Sequence, residues 1–283
     1  MGMQGNEWSE AAHRGVERAA ARRGFWVALL TAGTAGVALV AAITTLPRSG
    51  PYCRSGCVVT YPYTDAGAFV PRDYLWMYPA VLLILLVVVL VACLDDRVAP
   101  GGRALGRIGR SFTTVAATVL IVDYGIQLSV MQPAMIRGQT EGLSPWSQYH
   151  PYGLFIALEN VGYAALNLAF LFLGAALLPT RSRLQRGAGW VFLGGGIATL
   201  AALLAYALLY RSRLDYRFEV ASMGISWLVL IAAPVMLALL FARAPQPETP
   251  AAPRGILLRM TAQSPARGRP PQHEERVNDR SGD

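Results

Sequence analysis

The chain has 283 residues, is 54% apolar and only 15% charged, and carries a formal net charge of +8. That balance is too apolar for a water-soluble domain and places the chain in the membrane class. All 25 basic residues are Arg, which excludes a Walker phosphate loop, a retinal or pyridoxal Schiff base and a Lys general base. The positive residues are spread over short loops and a tail, with no folded basic domain to present them, so they point to membrane topology and not to nucleic acid.

Residues 1–23 form a polar segment rich in Ala, Glu and Arg, expected as a helix along the membrane surface and ending at Arg22 and Arg23. Six apolar runs follow, at about 25–46, 75–94, 113–131, 153–178, 189–210 and 220–241, within a membrane domain of residues 24–242. Each run meets the requirement of about 20 residues for ~30 Å of hydrocarbon. Strands crossing lipid would have to close into a barrel and show alternation, which a run such as LLILLVVVLVACL lacks. The fold class expected is therefore an all-α bundle of six transmembrane helices. Residues 243–283, rich in Pro, Arg and Gln, are expected as a disordered tail.

Counting Arg on alternate sides of these spans gives 18 on the side of both termini and 7 on the other. The positive-inside rule then places both termini in the cytoplasm, with the chain expected in a plasma membrane. The weakest point of that assignment is RSRLDYRF, whose Arg211, Arg213 and Arg217 lie on the outer side. Aromatic residues crowd the outer segments: Tyr52, Tyr61, Tyr63, Phe69, Tyr74, Trp76 and Tyr78, then Trp146, Tyr149 and Tyr152. They read as interfacial anchors.

An ionisable group at membrane depth costs about 2.5–3.5 kcal/mol on insertion scales, so each one calls for a reason. Asp123 lies ~12 Å of helix below the outer end of the third span, and Glu159 ~9 Å below that of the fourth. Consecutive spans run antiparallel, so the two carboxyls fall at similar depth. Gln127 is one turn from Asp123, and Glu159, Asn160, Tyr163 and Asn167 form a stripe at spacings of three and four. Glu219, Ser222 and Ser226 are spaced the same way in the sixth span and complete the lining.

Three readings of this pattern stand side by side. One is an outward-facing polar pocket that takes up a proton, a cation or a small polar solute, for transport or sensing. The second is a structural or regulatory membrane subunit in which Asp123 pairs with Gln127 or Asn160 only to hold the bundle, at ~0.6 kcal/mol per bond. The third is an intramembrane hydrolase or lipid-modifying enzyme, which would have to work with Asp123 and Glu159 alone. His13 and His273 are near the termini and His150 is in an outer loop, so haem ligation, an intramembrane zinc site and a Ser-His dyad are unsupported and no cofactor or metal is expected.

Cys53 and Cys57 lie on the side expected to be oxidising, where a disulfide would pin the first outer loop. Gly33 and Gly36, and Gly194 to Gly196, suit close helix approach. The bilayer is the one partner implied throughout; six spans without an evident repeat leave the oligomeric state open.

The stretch IQLSVMQPAMIRGQTEGLSPWSQYHPYGLFIALENVGYAALNLAFLFLGAAL, with PRDYLWMYPA before it, resembles a group of bacterial six-span membrane proteins of unknown function. The likeness covers the second to sixth spans. It implies the six-helix architecture and draws attention to a turn at Gln132-Pro133, to Glu159 and to Gly162-Tyr163, without implying an activity or a ligand.

Overall fold

The computed structural model describes residues 3–45, 47–53, 57–214 and 216–243. Those residues are all-α, with seven helices and no strand among them: α1 Met3–Thr44, α2 Met77–Leu94, α3 Arg103–Ile126, α4 Gln132–Ile136, α5 Leu154–Leu177, α6 Arg183–Tyr210 and α7 Arg217–Ala242. Six stretches are long and apolar enough to cross a membrane: Gly15–Thr44, Arg72–Leu94, Pro100–Ile136, Leu154–Leu177, Arg183–Tyr210 and Arg217–Ala242, with mean hydropathy from 1.6 to 3.0. The chain is a multi-span all-α membrane protein. The expected tail lies outside the described residues beyond position 243.

Several helices begin before the apolar run that announced them. α6 starts at Arg183 because the Ser182 side chain accepts from the Gln185 backbone N–H at 3.4 Å, which caps the first turn. Arg, Leu and Gln then carry good helix propensity up to the apolar run. α1 likewise joins the polar N-terminal segment and the first span in one helix, with no break at residue 24.

The turn expected at Gln132-Pro133 is helical instead. α3 passes through a π-helical stretch, Gln127–Met131, into α4. Pro133 cannot donate a hydrogen bond, and its ring would crowd the Ser129 carbonyl in a regular helix. The widened turn just before it makes room, so the helix bends past the proline and continues to Ile136.

α5 is the central helix. It packs on α3, α6 and α7, while the outer ring closes through α1 against α2 and α7, α2 against α3, and α6 against α7. Of the most apolar window, 61% is buried in α5 but only 22% in α6, so α6 presents most of its surface to lipid. Close approach of α5 and α6 depends on Gly174, Gly189 and Gly196: a Cβ on Gly174 would fall 2.6 Å from the Leu193 nitrogen, and one on Gly196 2.8 Å from the Asn167 carbonyl. The same role expected of Gly33 and Gly36 is not borne out, because a Cβ at either position would meet nothing within 4 Å.

The connections at the end of the bundle away from Arg22 and Arg23 fold together over it. Asp73, only 2% exposed, receives the Arg48 Nε at 3.3 Å and the Tyr149 hydroxyl at 2.9 Å. Ser49 donates to the Tyr149 carbonyl at 2.9 Å and lies 3.0 Å from the Tyr216 hydroxyl, which joins the connection after α1 to those before α5 and α7. Gly50 permits this: its φ is +74°, and a Cβ there would overlap the Tyr216 ring at 2.0 Å. Burial pushes the Tyr149 phenol up, and the neighbouring Asp73 carboxylate adds to the effect.

The aromatic anchors therefore divide. Tyr61, Tyr78 and Tyr152 are exposed, as anchors should be, but Tyr63, Tyr74, Trp76 and Tyr149 are buried inside the protein. Tyr74 donates to the Met135 sulfur at 3.4 Å, and Trp76 packs edge-on to Tyr124 at 5.5 Å. A one-dimensional reading sees only that they lie near the interface; the folded loops decide which of them face inward.

Candidate functional site

Three helices bring three carboxyls together beneath this cap. Asp123 comes from α3, Glu159 from α5 and Glu219 from the first turn of α7, and they are 1%, 0% and 5% exposed. The Glu159 and Glu219 carboxyls face each other, and Asp123 is near enough to interact by charge with both.

Two tyrosines complete the cluster. The Tyr124 hydroxyl donates to Glu159 Oε1 at 2.8 Å and lies 2.9 Å from the Tyr163 hydroxyl, which in turn lies beside the Trp227 side chain. Trp76 and Trp227, 6.0 Å apart by ring centroid, and Phe155, 6.3 Å from Tyr124, form an aromatic wall around these groups. Sequence reasoning missed Tyr124, Trp76 and Trp227. The available signal for Tyr124 was its place beside Asp123 on an inward-facing turn.

The cluster is not fully satisfied. Among the described residues, Asp123 Oδ2, Glu159 Oε2, Gln127 Oε1 and Asn160 Oδ1 are shielded from solvent yet have no conventional donor. The Glu219 carboxyl lies beside that of Glu159, whereas nothing comparable stands beside Asp123 Oδ2 and Gln127 Oε1. Gln127 sits at the start of the π-helical stretch and directs its amide nitrogen to the Trp146 carbonyl of the cap at 2.7 Å. The pairing of Asp123 with Gln127 or Asn160 expected for a packing-only cluster is thus not made. Asn160 is half-buried, turned away from the line of Glu159 and Tyr163.

One turn deeper a second polar group is complete. Asn167 donates to the Tyr163 carbonyl at 2.9 Å and to Ser226 Oγ at 2.8 Å, and accepts from Thr199 Oγ1 at 2.9 Å. Ser226 donates on to the Ser222 carbonyl at 2.7 Å, and Ser222 to the Glu219 carbonyl at 3.0 Å. This network ties α5, α6 and α7 together below the carboxyls.

Asp123, Gln127, Glu159, Tyr163, Asn167 and Glu219 therefore share one buried interface, with Asn160 at its edge. The pocket expected to open outward is closed by the cap and the aromatic wall. No group of three or more His, Cys, Asp or Glu residues suited to a metal ion occurs among the described residues. Cys53 is half-buried and Cys57 exposed, both in the connection between α1 and α2.

Compared with protein-family models, curated proteins and solved structures, the chain finds no match. The multi-span architecture rests on the six long apolar helices, and no family is identified for the chain.

Proposed function

We propose that the chain is a proton- or cation-responsive membrane protein, moving or sensing a small polar solute, with Asp123, Glu159 and Glu219 as the groups that load and unload. What carries this reading is the convergence of three buried carboxyls from three helices with acceptor atoms still open. An unmet buried acceptor costs about 1–3 kcal/mol, and of the five such side-chain oxygens among the described residues four lie at or beside this cluster, the fifth being Asp73 Oδ1 in the cap.

The physical sequence is short. With a proton held between them, Glu159 and Glu219 attract and draw α5 to α7. Without it, two like charges face each other in a weakly polarisable core and repel strongly. Separation of α5 and α7 would loosen the cap through Tyr216, one residue before α7, and its contact with Ser49. Gln127, one turn from Asp123 and bonded to Trp146 in the cap, marks the outward route in this reading. The Arg-rich side faces the cytoplasm of a bacterial plasma membrane in this reading, and a disulfide between Cys53 and Cys57 staples the outer loop.

Infrared difference spectra of the protein in proteoliposomes, recorded between acid and alkaline buffer, test the proposal. A protonated-carboxyl band that disappears on alkalinisation in the wild type and is reduced in both Glu159→Gln and Asp123→Asn is the expected result. Absence of any carboxyl band change, with the fold intact by circular dichroism, would sink it. Equal thiol labelling of Cys53 and Cys57 with and without reductant would remove the staple alone.

A further inference from the structure

The Arg-rich end of the bundle holds a groove of about 890 Å³ between α1 and α2, well away from the carboxyl cluster. Arg18, Arg22 and Arg23 line it at one end, and Trp26, Val27 and Val89 continue it toward the middle of the span. Arg18, Arg22 and Trp26 recur every four residues and so follow one face of α1. Over the ~12 Å from position 18 to position 26 that face changes from cationic to apolar. No acidic side chain lines the groove. Glu17, the neighbouring carboxylate on α1, is exposed to its side. Arg23 spends one N–H on the Ala19 carbonyl at 3.4 Å and keeps the rest of its guanidinium for another acceptor.

This gradient matches one kind of molecule in both parts. A phosphodiester headgroup suits the guanidinium cluster, and an acyl chain suits the apolar continuation, with Trp26 at the depth where indoles favour the boundary. A soluble anion would use only the upper half, and a zwitterionic lipid would bring a choline cation against three Arg. We infer that the α1–α2 groove is a binding site for an anionic phospholipid from the leaflet on the Arg-rich side. It holds the long α1, whose contacts with the rest of the bundle are to α2 and α7.

The test uses the full-length protein in nanodiscs of mixed phosphatidylglycerol and phosphatidylcholine, with retained lipid counted by native mass spectrometry. Wild type is expected to retain phosphatidylglycerol preferentially, and Arg18→Gln with Arg22→Gln and Arg23→Gln to lose roughly fivefold per Arg removed. Arg→Lys at the same three positions keeps most of the preference, and Arg103→Gln with Arg107→Gln on α3 leaves it unchanged. Unchanged preference in the triple Gln variant would overturn the site. So would displacement of the bound lipid by glycerol 3-phosphate or inorganic phosphate, since the occupant would then be a free anion. Independently of folding in the variants, phosphatidylglycerol with brominated chains should quench wild-type tryptophan fluorescence more than brominated phosphatidylcholine does, and Trp26→Phe should abolish that difference. Equal quenching by the two lipids in wild type counts against the inference.

Discussion

The Asn167 network and the carboxyl cluster share α5 and α7 and differ in their third helix, α6 for the one and α3 for the other, yet they answer the same physical demand in opposite ways. Both place polar groups where hydrocarbon excludes water. Asn167 uses its amide nitrogen twice and its oxygen once, and its partners Thr199 and Ser226 are themselves bonded. Asp123 and Glu159 instead keep buried oxygens that no conventional donor meets. Closed hydrogen bonds fix a structure; open ones leave capacity for something that arrives. The difference separates packing from function without reference to residue type, since both sites contain groups that are expensive to bury.

The largest effect on stability should come from breaking the closed network. Asn167→Leu removes three bonds at ~0.6 kcal/mol each in a membrane core and strands the Thr199 hydroxyl, a loss of about 2 kcal/mol. Reversible unfolding in mixed micelles measures it, and the carboxyl band described above should be unaffected. A shift in both stability and that band would mean that the two sites are one.

Gly162→Ala probes the seam between them with a smaller effect. An added Cβ would fall 2.6 Å from the Leu120 side chain, and the flexible Leu can move only by pushing α3 from α5. The cost is about 1–2 kcal/mol. Because Tyr124 on α3 reaches across to Glu159 on α5, the same change should lengthen that bond and alter the environment of the carboxyl. Infrared band position reports this, and an unmoved band would show that α3 and α5 hold their spacing by other contacts.

What the sequence made legible follows from how each feature is encoded. The six spans are written in composition, and the stripe of Glu159, Tyr163 and Asn167 in helical spacing, so both could be read directly. Glu219 could be placed by the same rule once α7 was located. The cap could not, because the bonds from Asp73 to Arg48 and Tyr149 join positions 25 and 76 residues apart with no periodic mark. Pro133 was misread as a turn because a π-helical stretch leaves no signature in composition. Gln127 was assigned to Asp123 from one-turn spacing, whereas the widened helix directs it to Trp146. Gly33 and Gly36 had the right spacing for a helix contact but face away from the bundle's seams, and spacing alone cannot tell which side of a helix has a neighbour.

The smallest stability change carries the sharpest test of the comparison. Glu159→Gln keeps the shape of the side chain and an oxygen to accept from Tyr124, and its amide can donate to Glu219 without needing the shared proton. If the carboxyls exist for packing, that replacement should cost about as much as other broken buried bonds, ~1 kcal/mol or more. If they are held open for a proton, the variant should be within about 0.5 kcal/mol of wild type or more stable, because a group that must ionise in a buried site is retained at the expense of stability. Unfolding measured in acid and in alkaline buffer distinguishes the two: the wild type should weaken on alkalinisation as the bond between Glu159 and Glu219 loses its proton, and the variant should weaken less. Parallel weakening of both proteins would assign the pH response to groups outside the cluster and return Asp123, Glu159 and Glu219 to the same structural role as Asn167.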